Sequence, residues 1–237
     1  MMKHRASLKI GLTAFFVFAL AAGLNAQNKS FTLGVRGGPF APQNWQIQGF
    51  EYVSYDTNDA PYLLTASGFG PGAEFCLYGS YNPSGRSTVL LEIGGRRHLR
   101  EIALHLAPDG KKDEHRNEMT AAMIALSQVH RFPTPNTKAI PYLGLGLGAY
   151  LLRWETKQDP EGRTRTWYRG EFVLPGLHFI TGFHYPLYYD LLLEGQFRYS
   201  WVVGNVKIRN EDTGTEIEYQ NLNIGGVSLT LGLAYSF

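Results

Sequence analysis

The sequence predicts an all-β fold: a transmembrane antiparallel up-and-down β-barrel of eight strands, following a cleaved signal peptide. Three observations predict it. First, in the stretch 227–237, Val227, Leu229, Leu231, Leu233, Tyr235 and Phe237 alternate with Ser228, Thr230, Gly232, Ala234 and Ser236. Successive side chains of a strand point to opposite faces, so one face here is apolar and ends in two aromatics. Second, the sequence stops on Phe237. An apolar face at the end of a strand is expected to meet lipid, with its aromatics at the interface. Third, beyond the N-terminal segment no apolar run is long enough for a membrane helix. A membrane accepts only helices and closed sheets, so a spanning chain of this composition must be a barrel.

The N-terminal segment reads as an export signal. Lys3, His4, Arg5 and Lys9 give a basic start, and 10–24 is an apolar run too short for a typical membrane-spanning helix. Small residues follow, and cleavage is expected after Ala26, with Gly23 as the alternative. An uncleaved N-terminal anchor is the competing reading. The domain division is therefore 1–26 signal peptide and 27–237 barrel. The leader holds three of the 22 basic residues and none of the 20 acidic ones, so the mature chain carries about one net negative charge. It presents no basic field, which argues against nucleic acid as a partner. Cys76 is the single cysteine, so no intramolecular disulfide exists, and its place in a strand pattern suggests a buried filler.

Eight strand-like segments follow in order. The first is 31–38, with Phe31, Leu33 and Val35 opposite Thr32, Gly34 and Arg36; Pro39 and Pro42 are expected to end it. Residues 39–68, with Trp45, Phe50, Tyr52, Tyr55 and Tyr62, read as a large exposed loop. The second strand, about 69–81, sets Phe75 and Leu77 against Glu74, Cys76 and Tyr78. Asn82, Pro83, Ser84 and Gly85 make a tight turn. The third, 87–104, places Val89, Leu91 and Ile93 opposite Glu92, Gly94, Arg96 and His98; Arg97 falls on the apolar face and needs an interfacial position. Residues 108–116 read as a charged loop. The fourth strand, 117–132, has ambiguous phase, because Met, Ala, Ile and Leu fall on both faces. After a Pro-Thr-Pro-Asn turn, the fifth, 140–154, alternates Leu143, Leu145 and Leu147 with Gly144, Gly146 and Gly148. The sixth, about 164–184, presents Val173, Leu177, Phe179 and Phe183 outward. The seventh, 191–208, opposes Phe197, Tyr199 and Trp201 to Glu194, Gln196, Arg198 and Ser200. The eighth closes at Phe237.

The connections sort into two classes. Those near 39–68, 105–116, 157–163 and 209–216 are long and polar; those near 82–86, 133–138 and 185–190 are short. Short turns inside and longer loops outside are the pattern of the outer membrane of a Gram-negative bacterium. On the residues 225–237, 141–150 and 31–38, the chain resembles the small eight-stranded outer-membrane barrels, the outer-membrane-protein-A-like and opacity-type domains. That resemblance covers the whole mature chain. It implies that Leu233, Tyr235 and Phe237 form a C-terminal signal read by the barrel-assembly machinery. It also implies contact with outer-membrane lipid and lipopolysaccharide, and a monomer.

The candidate site lies on the inner faces. Arg36, Glu74, Glu92, Arg96, Glu194 and Arg198 all take the inward phase, and at mid-height they are expected to meet as an ion-pair network. Buried charges must be paired. Such a network is either a fixed polar plug or a charged gate in a narrow pore, and an eight-stranded barrel leaves little room for the second. Phe179, Phe183, Tyr199 and Trp201 are expected in interface girdles. His178 and His184 share the inner phase of the sixth strand without a metal-ligand spacing, so no metal and no cofactor are expected. Some barrels of this size act on lipid A through a His–Ser pair on an outward face; His178 is followed by Phe179, Ile180 and Thr181, so that pattern is absent. The preferred function is non-enzymatic, in envelope support, surface display or adhesion. The alternatives are a narrow pore or carrier for small, even hydrophobic, molecules and, third, a lipid A-modifying enzyme.

Overall fold

Period-two alternation carries through into the observed elements. In a computed structural model the protein is described over residues 31–43, 54–55, 61–62, 71–106, 112–133, 135, 137–158, 165–211, 213–214 and 216–237. The expected signal peptide 1–26 and most of the segment 39–68 lie outside these residues. The strands are β1 (Phe31–Pro42), β2 (Ser54–Tyr55), β3 (Pro61–Tyr62), β4 (Gly72–Tyr81), β5 (Ser87–Leu106), β6 (Lys112–Arg131), β7 (Ile140–Gln158), β8 (Arg165–Tyr188), β9 (Leu191–Asn210), β10 (Glu216–Asn223) and β11 (Gly226–Ser236). β2 and β3 pair only with each other.

The rest form one closed ring, β1–β4–β5–β6–β7–β8–β9–β11 and back to β1, antiparallel throughout. β10 extends the stave of β11 and pairs β9 further out. The first and last strands meet in register, Thr32 against Ser236 and Arg36 against Gly232. The C-terminus is tied down on both sides: the N–H of Ser236 donates to the Asp190 carbonyl at 2.9 Å, and that of Phe237 to the Phe31 carbonyl at 2.8 Å. No strand edge is left along this seam for lipid to solvate, which a barrel wall requires.

Several boundaries differ from the sequence reading. β1 runs through Pro39 to Pro42 rather than stopping before them. Its ladder to β11 skips from Gly37 to Phe40, so the proline lacking an N–H sits where no bond is made on that side, while its pairing to Ala73 continues. The charged residues 112–116 are strand, not loop: β5 and β6 stay paired out to Leu106 and Lys112. Likewise β7 reaches Gln158 and β9 reaches Asn210. A strand needs only about 9–11 residues to cross a bilayer, so these hairpins project beyond it, where polar side chains suit both faces. The eighth stave is broken at Ile224 and Gly225 rather than continuous. The phase of β6 is settled: Met119, Ala121, Met123, Ala125, Ser127 and Val129 face inward, and Ile124 and Leu126 outward.

Hydrophobicity is inside-out. Leu145, Leu147, Val173 and Leu231 are each more than 60% exposed on the outer wall. In water such a continuous greasy surface is a liability; against acyl chains it is the anchor. On β7 the outward leucines run from Leu143 to Leu151, and the next outward residue is Arg153. At the short-turn, periplasmic end the exposed Tyr81, Phe132, Tyr185, Tyr188, Tyr189, Tyr235 and Phe237 collect. Tyr189 holds φ 46° in the two-residue turn that leads from β8 into β9.

Leu145→Arg puts a charge on the lipid face near mid-wall. It should destabilise the protein by about 2–4 kcal/mol, read by denaturant titration of folding into phospholipid vesicles. A change near zero would place that face in water.

Candidate functional site in the barrel lumen

The inward charges come from four staves. β1 supplies Arg36, β4 Glu74, β5 Glu92 and Arg96, and β9 Glu194 and Arg198. Register explains their approach: Arg36 lies opposite Cys76, Glu74 opposite Arg96, and Arg36 opposite Gly232, which itself faces Glu194. Gly232 removes the side chain that would separate Arg36 from Glu194. None of the six charged residues is more than 3% exposed.

They form an alternating chain across the lumen: Arg96, Glu74, Arg198, Glu92, Arg36, Glu194. Arg96 Nε donates to Glu74 Oε2 at 2.5 Å. Arg198 Nη1 lies 3.7 Å from Glu74 Oε1, and Arg198 Nη2 donates to Glu92 Oε1. Glu92 also pairs with Arg36 Nη2, and Arg36 Nη1 reaches Glu194 Oε1 at 3.1 Å. Three guanidiniums face three carboxylates, so the chain is neutral as a whole.

Further polar groups finish both ends. Tyr142 OH donates to Glu194 Oε1 at 2.6 Å, and His184 Nε2 stands 3.6 Å from the same oxygen. At the other end Arg96 Nη2 donates to Ser200 Oγ at 2.8 Å. Aromatic faces cover the cations: Arg36 lies 4.8 Å from the Tyr78 ring centre, and Arg96 4.4 Å from that of Phe40 and 5.1 Å from that of Tyr150. Planar guanidinium suits this double duty, bridging carboxylates in its plane and stacking on rings above it.

Apolar clusters fill the lumen on either side. Toward the periplasmic end lie Tyr78, Leu90, Val129, Tyr142 and Ile180. Toward the outer rim lie Met119, Met123, Leu152, Trp154, Leu174, Val202 and Ile208, among others. A cavity of about 10 Å³, room for roughly one water, remains among Tyr78, Arg131, Tyr142, His184 and Glu194.

One polar pair was not legible beforehand. Ser127 Oγ and His178 Nε2 lie 2.7 Å apart inside the lumen. Gly146 stands between them in register, and a methyl there would overlap both. The sequence signal was faint, since the two are 51 positions apart and Ser127 sits on the strand of ambiguous phase. The pair faces the lumen, not the outer wall. Cys76 is buried beside Glu74, and among the described residues no group of His, Cys, Asp and Glu has the arrangement of a metal site.

The outward expectations are placed as follows. Leu233, Tyr235 and Phe237 lie exposed on the outer face of the last stave. Phe183, Tyr199 and Trp201 are exposed and Phe179 half-buried on the wall. Phe179 lies midway along β8 between the outward Glu171 and Leu187, and it pairs Tyr199 directly. Both lie within their strands rather than at the strand ends.

No protein-family model matches the chain, and no curated protein matches it. Solved structures do. The outer membrane protein OprG of Pseudomonas aeruginosa is 14% identical, with a TM-score of 0.57, covering 89% of this chain and 97% of that one. A major outer membrane protein of Thermus thermophilus is 12% identical, with a TM-score of 0.52, over 88% and 100%. Neisserial surface protein A is 15% identical, with a TM-score of 0.46, over 89% and 98%. The fold is that of the small outer-membrane β-barrels. At these identities the likeness speaks for the fold alone, and not for an activity.

Removing one partner of a buried ion pair strands the other. Glu92→Ala and Arg198→Ala should each cost about 3–5 kcal/mol, seen as a fall in unfolding temperature in detergent. Wild-type heat stability in both variants would contradict the network.

Proposed function

We propose that this outer-membrane barrel is a sealed, non-enzymatic scaffold of a Gram-negative envelope, which holds its long outer connections at the cell surface for structural or adhesive contact. The observation that carries this reading is the Arg–Glu chain lying across the lumen between two apolar clusters. An eight-stranded barrel has an interior that side chains can fill, and here charged and apolar groups fill it in layers. Strand hairpins longer than a bilayer needs supply rigid stalks beyond the membrane. In this reading the outward Leu233, Tyr235 and Phe237 serve the assembly machinery, and the barrel works as a monomer in lipid and lipopolysaccharide.

A second reading has one observation in its favour. The outer half of the lumen is lined by Met, Leu, Val and Trp rather than by polar groups. Such a lining suits a carrier that takes up a small hydrophobic molecule from outside. The two readings separate in reconstituted membranes. Purified protein in planar bilayers should give no conductance steps, and vesicles containing it should take up a fluorescent apolar solute no faster than empty ones. Steady conductance would replace the scaffold by a pore, and accelerated uptake would replace it by a carrier.

A further inference from the structure

Two arginines that the lumen does not use stand on the lipid-facing wall. Arg97 on β5 is in direct register with Thr120 on β6, and Thr120 with Arg153 on β7. All three are exposed and point outward. They sit at the edge of the apolar band, since the next outward residues toward mid-wall are Ala122 and Ile124 on β6 and Leu151 on β7. On the other side, Glu118 and Glu155 oppose each other. Arg97 Nη2 donates to Glu118 Oε1 at 2.9 Å, and the Arg153 guanidinium pairs with Glu155.

Between β6 and β7 the wall is hollowed. A depression of about 440 Å³ is lined by Glu118, Thr120, Ala122, Leu151, Arg153 and Glu155. Its floor toward mid-membrane is apolar and its outer rim is charged. The small side chains of Thr120 and Ala122 create the furrow, with Gly95 beside Ala122 on β5 and the larger Leu151 and Arg153 on β7.

Position decides the chemistry. An outward cation is costly at mid-bilayer and tolerated near the interface, so Arg97 and Arg153 mark the level where acyl chains give way to headgroups. Neighbouring strands lie about 4.8 Å apart, so these two arginines are rooted roughly 10 Å from each other with a hydroxyl between them. That span lets two guanidiniums close on one phosphate from opposite sides. The carboxylates of Glu118 and Glu155 hold the guanidiniums from the solvent side. Exposed ion pairs of this kind add little to stability, so folding alone does not account for the arrangement.

We propose that this furrow is a lipid site on the outer wall. It takes a phosphate-bearing lipid of the outer leaflet, with the phosphate between Arg97 and Arg153 over Thr120 and one acyl chain lying on Ala122 beside Leu151. The site is independent of whether the lumen is sealed or carries a solute.

The test uses the full barrel in detergent, titrated by native mass spectrometry with diphosphorylated lipid A and with the same lipid after removal of its phosphates. Wild type should bind the phosphorylated form about tenfold or more tightly than the dephosphorylated form. Arg97→Gln with Arg153→Gln should abolish that preference. Ala122→Phe fills the furrow, keeps both arginines, and should weaken binding of both lipids; folding of each variant is checked by its heat-dependent gel mobility. Excess inorganic phosphate should not displace the lipid. Equal binding of the two lipids by wild type, an undiminished preference in the double arginine variant, wild-type binding by Ala122→Phe, or displacement by inorganic phosphate would each overturn the proposal.

Discussion

The pairing of the first barrel strand with the last is the constraint on which everything else rests. A backbone N–H or C=O facing hydrocarbon has no water to bond, so an open sheet cannot stand in a bilayer. The register of Thr32 with Ser236 through to Pro42 with Gly226 removes that difficulty along the seam, save for the skip at Gly38 and Pro39. Once the ring is shut, period two does the remaining sorting. Each stave must give one set of side chains to lipid and the other to the lumen. Leu145, Leu147, Val173 and Leu231 go outward, and Arg36, Glu92 and Arg198 have nowhere to go but in.

Enclosure then dictates how the charges are arranged. An ion moved from water into a low-dielectric interior loses several kcal/mol of hydration, and only close, multiple partners restore it. Arg198 answers this by touching both Glu74 and Glu92, and Arg36 by touching both Glu92 and Glu194. The ends of the chain are taken by Ser200 and Tyr142, which are polar without adding charge. The apolar clusters lie on either side of the pairs, where a lower dielectric strengthens them. Charge pairing and layered packing are thus one arrangement. On the outer wall the opposite holds: Arg97 and Arg153 stay near the headgroups because their cost falls off there.

Much of this was legible in the chain. The strand cores, their inward and outward faces and the six lumen charges follow from alternation, because a period of two is unambiguous wherever small or charged residues oppose large apolar ones. β6 failed that condition. Met123 faces in and Ile124 faces out, yet both are apolar, since the outer lumen is greasy as well as the wall. With the phase of β6 undecided, Ser127 was not placed in the lumen, and its approach to His178 stayed hidden. Strand ends were missed for a related reason. The segment 112–116 shows no alternation in its residues, even though Lys112 to His115 pair with β5. Pro39 misled because the missing N–H matters only on the side where a bond is due. Tyr142, whose hydroxyl donates to Glu194, carries no signal of that role in the alternation of its strand.

The claim beneath all of this is that greasy side chains on one phase of each stave face acyl chains while those on the other phase are shielded from them. Two tryptophans test it directly. Trp201 is half exposed on the outer wall, and Trp154 is buried in the lumen cluster. In vesicles of bromine-labelled lipid, a variant keeping only Trp201, with the other tryptophans changed to phenylalanine, should lose most of its fluorescence. The matching variant keeping only Trp154 should be nearly unaffected. Equal quenching of the two, or quenching of neither, would contradict the account.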